Sequence, residues 1–108
     1  MTAMEKVKEL VESNGLVVFS KTWCSYCIRV RDLFNEIGAK GKFVQLDEEE
    51  DGEDMQFALL EWTGQRTVPN VFIGGEHVGG CDDTVRKHRR EELIPMLESA
   101  GVLEPRKE

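Results

Sequence analysis

The most informative stretch of this sequence is Leu16-Val17-Val18-Phe19-Ser20-Lys21-Thr22-Trp23-Cys24-Ser25-Tyr26-Cys27. Its apolar run predicts a short buried strand over 16–20. The apolar residues after the cysteine pair recur at i, i+3, i+4, i+7, which predicts a helix from about 24 to 38. A helix N-terminus presents unpaired N–H groups and a partial positive charge. A thiol there is shifted towards thiolate, the form that attacks disulfides, so the stretch predicts thiol chemistry at a strand–helix junction.

The rest of the chain alternates between helical and strand patterns, and Gly74-Gly75 predicts a tight hairpin. The order αβαβαββαα predicts a parallel pair of strands joined by a helix, followed by an antiparallel hairpin. We therefore expect one α/β domain over residues 1–108, with a four-stranded mixed sheet flanked by helices on both faces. The other predicted elements are a helix over 2–14, a strand over 42–46, a helix that contains Met55 and ends at Gly64, strands over 70–73 and 76–79, a short helix from near Asp82 and a helix over about 91–100.

Charge and hydropathy exclude two classes of partner. The 108 residues carry a net charge of −7, which argues against binding to nucleic acid phosphates. The longest apolar runs are about four residues, far short of the roughly 20 that span a bilayer, so no membrane association is expected. Seven of the eight residues over 47–54 are acidic. This acidic run is either a solvated loop and helix start or a docking site.

The cysteine content indicates a reducing compartment. Three cysteines, Cys24, Cys27 and Cys81, cannot all pair within one chain, and a secreted disulfide scaffold normally carries a larger, even number. The start of the chain has no secretory pattern. We expect a cytoplasmic location, or the plastid stroma if a transit peptide has been removed.

Four features, taken together and in order, resemble the glutaredoxin family over roughly residues 4–100. Cys24-Ser25-Tyr26-Cys27 follows the first strand and Lys21, Thr67-Val68-Pro69 precedes the third strand, and Gly79-Gly80 leads into Cys81-Asp82-Asp83 at a helix start. A Cys-x-x-Cys pair alone is a weak signal, because zinc sites also use it. Cys-Ser-Tyr-Cys looks like a variant of the plant-type dithiol glutaredoxins, where Cys-Pro-Tyr-Cys is more usual. The resemblance implies a thioredoxin-like fold.

The same resemblance implies a glutathione-dependent thiol–disulfide oxidoreductase that reduces protein–glutathione mixed disulfides and disulfides. Glutathione would be the co-substrate, and glutathionylated proteins would be the partners. Cys24 is the expected nucleophile, chiefly valuable because a stable thiolate leaves easily from a mixed disulfide. We expect Cys27 to be less exposed and nearer to an ordinary thiol pKa. It is either a resolving cysteine or a buried apolar filler. Trp23 is expected to pack beside the site.

The resemblance also implies a glutathione site assembled from distant segments. Lys21 and Gln65 would bind the glycine carboxylate. The family holds the proline at position 69 in the cis form, with the backbone of Val68 pairing with the cysteine of glutathione, a short case of strand addition. The full set of expected glutathione-binding residues is Lys21, Tyr26, Gln65, Thr67, Val68, Pro69, Gly80, Cys81, Asp82 and Asp83.

The last four of these residues open a predicted helix. Gly80 permits close approach of a ligand to the backbone, and the free N–H groups of the helix suit the α-carboxylate of the γ-glutamyl group. Asp82 would take its ammonium group. Asp83 is either a second ligand or a helix-start acid. Cys81 is either a lining residue or a secondary redox site.

A different class of function is an iron–sulfur cluster carrier. In that alternative the chain is a monomer that forms a cluster-bridged homodimer, in which Cys24 from each chain and two glutathione molecules hold a [2Fe–2S] cluster. Ser25, in place of the usual proline, is the feature that points to it, because it relieves backbone rigidity beside Cys24. Enzyme and carrier are not mutually exclusive.

Overall fold

The computed structural model describes residues 1–105, and its elements follow the predicted order. The predicted domain over 1–108 includes residues 106–108, which lie outside the described residues. None of the helices within 1–105 has the length and apolar character needed to cross a bilayer. The elements are α1 (Ala3–Ser13), β1 (Leu16–Ser20), α2 (Ser25–Ile37), β2 (Lys42–Gln45), α3 (Gly52–Thr63), β3 (Asn70–Ile73), β4 (Glu76–Gly79), α4 (Cys81–Arg89) and α5 (Leu93–Ser99), with a 3₁₀ turn at Leu46–Glu48.

The four strands form one mixed sheet, as predicted, and their spatial order is β2-β1-β3-β4. β1 and β2 are parallel and are joined through α2, whereas β3 is antiparallel to both β1 and β4. The last parallel pair is Ser20 opposite Gln45. Because parallel neighbours end at the same edge of a sheet, the segments that follow β1 and β2 emerge side by side.

Helices cover both faces of the sheet, as expected. On one face, Phe19 and Phe72 pack against apolar residues of α1 and α3. On the other face, Val18 and Val71 pack against Phe34 of α2 and against residues of α4 and α5. All five residues of β1 are buried, because this strand is central and both of its faces are covered. This explains why its sequence is a continuous apolar run rather than an alternating pattern.

Several predicted ends differ from the structure by one or two residues. The helix predicted over 2–14 spans Ala3–Ser13, and the helix predicted from about 91 begins at Leu93. The strand predicted over 42–46 ends at Gln45, and Leu46 instead opens the 3₁₀ turn with its side chain buried. Gly38 ends α2 in the left-handed conformation that glycine favours, with φ at 91°. Pro95 is the third residue of α5, within the first turn, where a missing N–H is tolerated.

Candidate active site

Cys24 lies at the junction of β1 and α2, where the sequence placed it. A turn that joins the Cys24 N–H to the Lys21 carbonyl at 3.2 Å follows the strand. The Cys24 side chain then caps the helix, because its sulfur accepts the N–H of Cys27 at 3.2 Å. The thiol also donates to the carbonyl oxygen of Val68 at 3.7 Å. Cys24 therefore contacts both the helix that it opens and the loop that precedes β3.

Cys27, one helical turn further along, is 2% exposed, against 7% for Cys24. The expectation that it is the less exposed thiol is thus correct, but the expectation of a nearly ordinary pKa is wrong. Burial, reinforced by the hydrogen bond with Cys24, raises the pKa of Cys27 to about 11. The thiolate would lose its hydration there, so the neutral thiol is favoured. At neutral pH the two cysteines are therefore not equivalent.

The raised pKa of Cys27 predicts a pH effect on stability. The folded protein holds this proton up to about pH 11, whereas a free thiol has a pKa of about 8.5. The stabilisation is complete below about pH 8.5 and is lost as pH rises through the folded value. We expect the free energy of unfolding to fall over this interval in denaturant titrations of the reduced protein. Cys27→Ala should show a smaller fall. An equal fall in both proteins would contradict the assignment.

Nine of the ten residues expected to bind glutathione line one open groove of about 490 Å³. They come from the start of α2, the loop before β3 and the start of α4, three segments that the sheet brings together. The Val68–Pro69 peptide bond is cis, as the resemblance implied. The nine residues are Tyr26, Gln65, Thr67, Val68, Pro69, Gly80, Cys81, Asp82 and Asp83.

Lys21 is the expected ligand that does not line this groove. It lines a neighbouring groove together with Gln56 and Arg66, and its ammonium lies 5.5 Å from the centre of the Trp23 ring. Trp23 is 71% exposed, so the expectation that it packs beside the site is wrong. The turn between β1 and α2 instead projects the indole ring into solvent, where it contacts the lysine.

Gln65 holds its own loop through two hydrogen bonds. Its amide nitrogen donates to the carbonyl oxygens of Thr67 at 3.1 Å and Pro69 at 2.9 Å. Gln56 of α3 donates to the carbonyl oxygen of Arg66 at 2.8 Å. Sequence reasoning missed Gln56, because nothing in its neighbourhood along the chain indicates which carbonyl it reaches. The two glutamines pair backbone carbonyls that have no strand partner, and so position the loop that carries Val68.

Asp83 caps α4, which was one of its two expected roles. Its carboxylate accepts the N–H of Gly80 at 2.9 Å and lies 3.3 Å from Arg86. Asp82 is exposed at the rim of the groove. Cys81 is buried within the core, and that burial raises its pKa. Its position is that of a lining residue held as a neutral thiol.

Metal binding receives no support from the described side chains. Within residues 1–105, no group of three or more His, Cys, Asp or Glu residues is arranged to hold a metal ion. The cluster alternative requires only Cys24 from each chain, so it stays a prediction.

The chain is similar to known proteins along most of its length. A family model described as Glutaredoxin matches residues 16–78. A glutaredoxin of Ricinus communis is 60% identical over 101 residues, which cover 94% of this chain and 99% of the relative. Glutaredoxin-C2 of Arabidopsis thaliana is 57% identical, with coverage of 94% and 91%. The crystal structure of a buckwheat glutaredoxin–glutathione complex is 57% identical and superposes with a TM-score of 0.93, covering 94% of this chain and 92% of that one. The fold is accordingly thioredoxin-like, and the chain belongs to the glutaredoxin family.

Proposed function

We propose that this glutaredoxin uses Cys24 as the nucleophile that reduces protein–glutathione mixed disulfides, with glutathione as the reductant. The observation that carries the proposal is the contact between Cys24 and Val68. Because Val68 lines the groove shared by nine of the expected glutathione-binding residues, this contact supports Cys24 as the sulfur that meets the substrate there. The buckwheat glutaredoxin in the similar complex binds glutathione, and the groove of this chain is the corresponding candidate.

The reaction divides into two thiol–disulfide exchanges. The Cys24 thiolate attacks the glutathione sulfur of the mixed disulfide, forming a Cys24–glutathione disulfide, and the protein thiolate leaves and takes up a proton. The thiolate of a second glutathione then attacks the glutathione sulfur bound to Cys24. Oxidised glutathione forms, and Cys24 leaves as a thiolate. The Cys27 N–H, which donates to the Cys24 sulfur, stabilises negative charge on that leaving group.

Val68 links the nucleophile to substrate binding. Its carbonyl oxygen accepts a hydrogen bond from the Cys24 thiol. When Cys24 ionises or enters a mixed disulfide, that donor is gone and the carbonyl becomes free. It can then accept the N–H of the glutathione cysteine in the manner of strand addition. Ionisation of Cys24 therefore prepares the groove to receive glutathione.

The two ends of glutathione meet different partners in this proposal. At one end, the exposed carboxylate of Asp82 takes the γ-glutamyl ammonium, and the free N–H groups at the start of α4 face its carboxylate. At the other end, Lys21 reaches from the neighbouring groove towards the glycine carboxylate. Gln65 acts there mainly by holding the loop, because its amide nitrogen already donates to two carbonyl oxygens. Cys27 serves as a resolving thiol that is not required for the two exchanges above.

A cluster-bridged dimer is not favoured as the main function. The solved complex similar to this chain holds glutathione, and the groove chemistry accounts for the expected site residues without iron. Glutathionylated proteins are the proposed partners of a monomeric enzyme, in the cytoplasm or the plastid stroma.

Substrate selectivity tests the proposed function. We expect turnover of a glutathionylated peptide to saturate and to exceed turnover of a matched peptide disulfide that lacks glutathione. Asp82→Asn should raise KM for the glutathionylated peptide by about fivefold or less, since an exposed ion pair is worth at most about 1 kcal/mol. Glu36→Gln, which removes an exposed acid near the other end of α2, is the charge-matched control. Equal turnover of both peptides would reject the proposal.

A further inference from the structure

The turn that precedes Cys24 is held from outside by an acidic side chain. The N–H of Thr22 donates to Oδ1 of Asp47 at 3.0 Å, and the Thr22 hydroxyl donates to Oδ2. The same hydroxyl contact is the main cause that lowers the pKa of the Asp47 carboxyl below its usual value. Both carboxylate oxygens therefore have a partner on one residue. Charge-assisted hydrogen bonds of this kind are stronger than neutral ones.

The sheet topology explains why these two residues meet. Ser20 and Gln45 form the last parallel pair of β1 and β2. Thr22 and Asp47 each lie two residues beyond that pair, so they emerge at the same edge of the sheet. They are 25 positions apart in the chain, and only the strand register brings them together.

Asp47 is fixed to the rest of the protein on both sides. It belongs to the 3₁₀ turn whose first residue, Leu46, is buried in the core. Beyond that turn, the Lys6 ammonium of α1 lies 3.4 Å from Glu49 and 3.0 Å from Asp51. The first residues of the acidic run are therefore held in place, and the carboxylate of Asp47 contacts the turn that precedes Cys24. Thr22 lies inside the turn that delivers Cys24 to the N-terminus of α2.

We propose that Asp47 is a positioning residue for the exchange reaction: by clamping Thr22 it holds Cys24 where the sulfur meets the Cys27 N–H and the Val68 carbonyl. This rests on the proposed role of Cys24. Asp47 belongs to the acidic run over 47–54, for which the sequence alone left open a solvated surface or a docking site. Asp47 acts through Thr22 and need not touch the substrate.

Four single variants and one double variant test the clamp. Asp47→Ala, which removes both hydrogen bonds, should lower kcat by about tenfold, with KM for the glutathionylated peptide changed by less than about twofold, because positioning losses fall mainly on the chemical step. Thr22→Val loses the hydroxyl contact but keeps the backbone N–H donor, so its loss in kcat should be smaller, about threefold. Thr22→Ser retains the hydroxyl and should keep most of the activity. Glu48→Ala, which removes the neighbouring exposed acid of the same turn, is the control and should behave as the wild type. The double variant Thr22→Val/Asp47→Ala should be no worse than Asp47→Ala alone, since Asp47→Ala already removes both hydrogen bonds.

A second readout separates this proposal from the proposed function. The rate at which iodoacetamide alkylates Cys24, followed by mass spectrometry at neutral pH, needs no glutathione. It should fall severalfold in Asp47→Ala and Thr22→Val and stay near wild type in Thr22→Ser. The clamp is overturned by a wild-type alkylation rate in Asp47→Ala, by a larger loss in Thr22→Val than in Asp47→Ala, or by additive losses in the double variant. Losses that follow the unfolding midpoint and are not rescued by Thr22→Ser also overturn it. If Cys24 of the wild-type protein is alkylated by iodoacetamide but the protein turns over no glutathionylated peptide, the proposed function is rejected instead.

Discussion

Cys24→Ser is expected to abolish glutathione-dependent reduction of a glutathionylated peptide, whereas Cys27→Ser keeps much of it. The sulfur of Cys24 lies at the N-terminus of α2 beside Val68, and each of the two exchanges forms or breaks a bond to it. A serine hydroxyl neither ionises at neutral pH nor exchanges with a disulfide. We expect a loss of about three orders of magnitude or more, as when the nucleophile of a catalytic unit is removed.

The matched variant at Cys27 makes this result specific. Cys27 is buried, and its raised pKa of about 11 keeps it a neutral thiol at pH 7, so it does not replace Cys24 as the nucleophile. Both variants exchange one sulfur for one oxygen within the same helical turn. Turnover of the glutathionylated peptide by each protein, with glutathione as the only reductant, is the measurement. Equal losses in both variants would indicate a dithiol route in which the Cys24–Cys27 disulfide is obligatory.

Gly80→Ser is expected to raise KM for the glutathionylated peptide by about tenfold or more while leaving the protein folded. A Cβ atom at Gly80 would lie 3.7 Å from the Pro69 carbonyl oxygen and 3.9 Å from the Gln65 amide, both ordinary contacts. The backbone there, with φ at −94°, suits any residue. Neither conformation nor packing therefore demands glycine, and the added side chain enters the groove. A tenfold loss of affinity corresponds to about 1.4 kcal/mol of binding free energy, which is the expected cost of this steric exclusion.

Serine is the informative replacement because it is also a favoured helix N-cap residue, so α4 should be as stable as before. The neighbouring glycine provides the contrast. Gly79 has φ at 120°, and a Cβ there would collide with the Asp83 carboxylate. Gly79→Ala should therefore lower the free energy of unfolding by about 1–3 kcal/mol. Steady-state kinetics and denaturant unfolding of both variants check the pair. An unchanged KM in Gly80→Ser would mean that glutathione does not approach this position.

The elements themselves were largely predictable because their signals are local. Gly74 and Gly75 have φ at 59° and 82°, the left-handed values that a two-residue hairpin turn requires, and the flanking strands have the predicted bounds. The groove was also predictable, but by resemblance rather than by periodicity. The motifs at Thr67-Val68-Pro69 and Cys81-Asp82-Asp83 are far from Cys24 in sequence, and no spacing rule joins them.

The amino-acid sequence alone was therefore enough to predict a strand–helix junction with a thiol at the start of the helix, since helix propensity and capping depend on residues that are near in sequence. It was not enough to predict which side chains from different strands and loops contact each other. The contact of Thr22 with Asp47 depends on the register of two parallel strands. The pKa of Cys27 depends on how completely the core and Cys24 surround it. Such partners follow from three-dimensional packing, because hydrogen bonds and desolvation act over a few ångströms in space, whatever the distance along the chain.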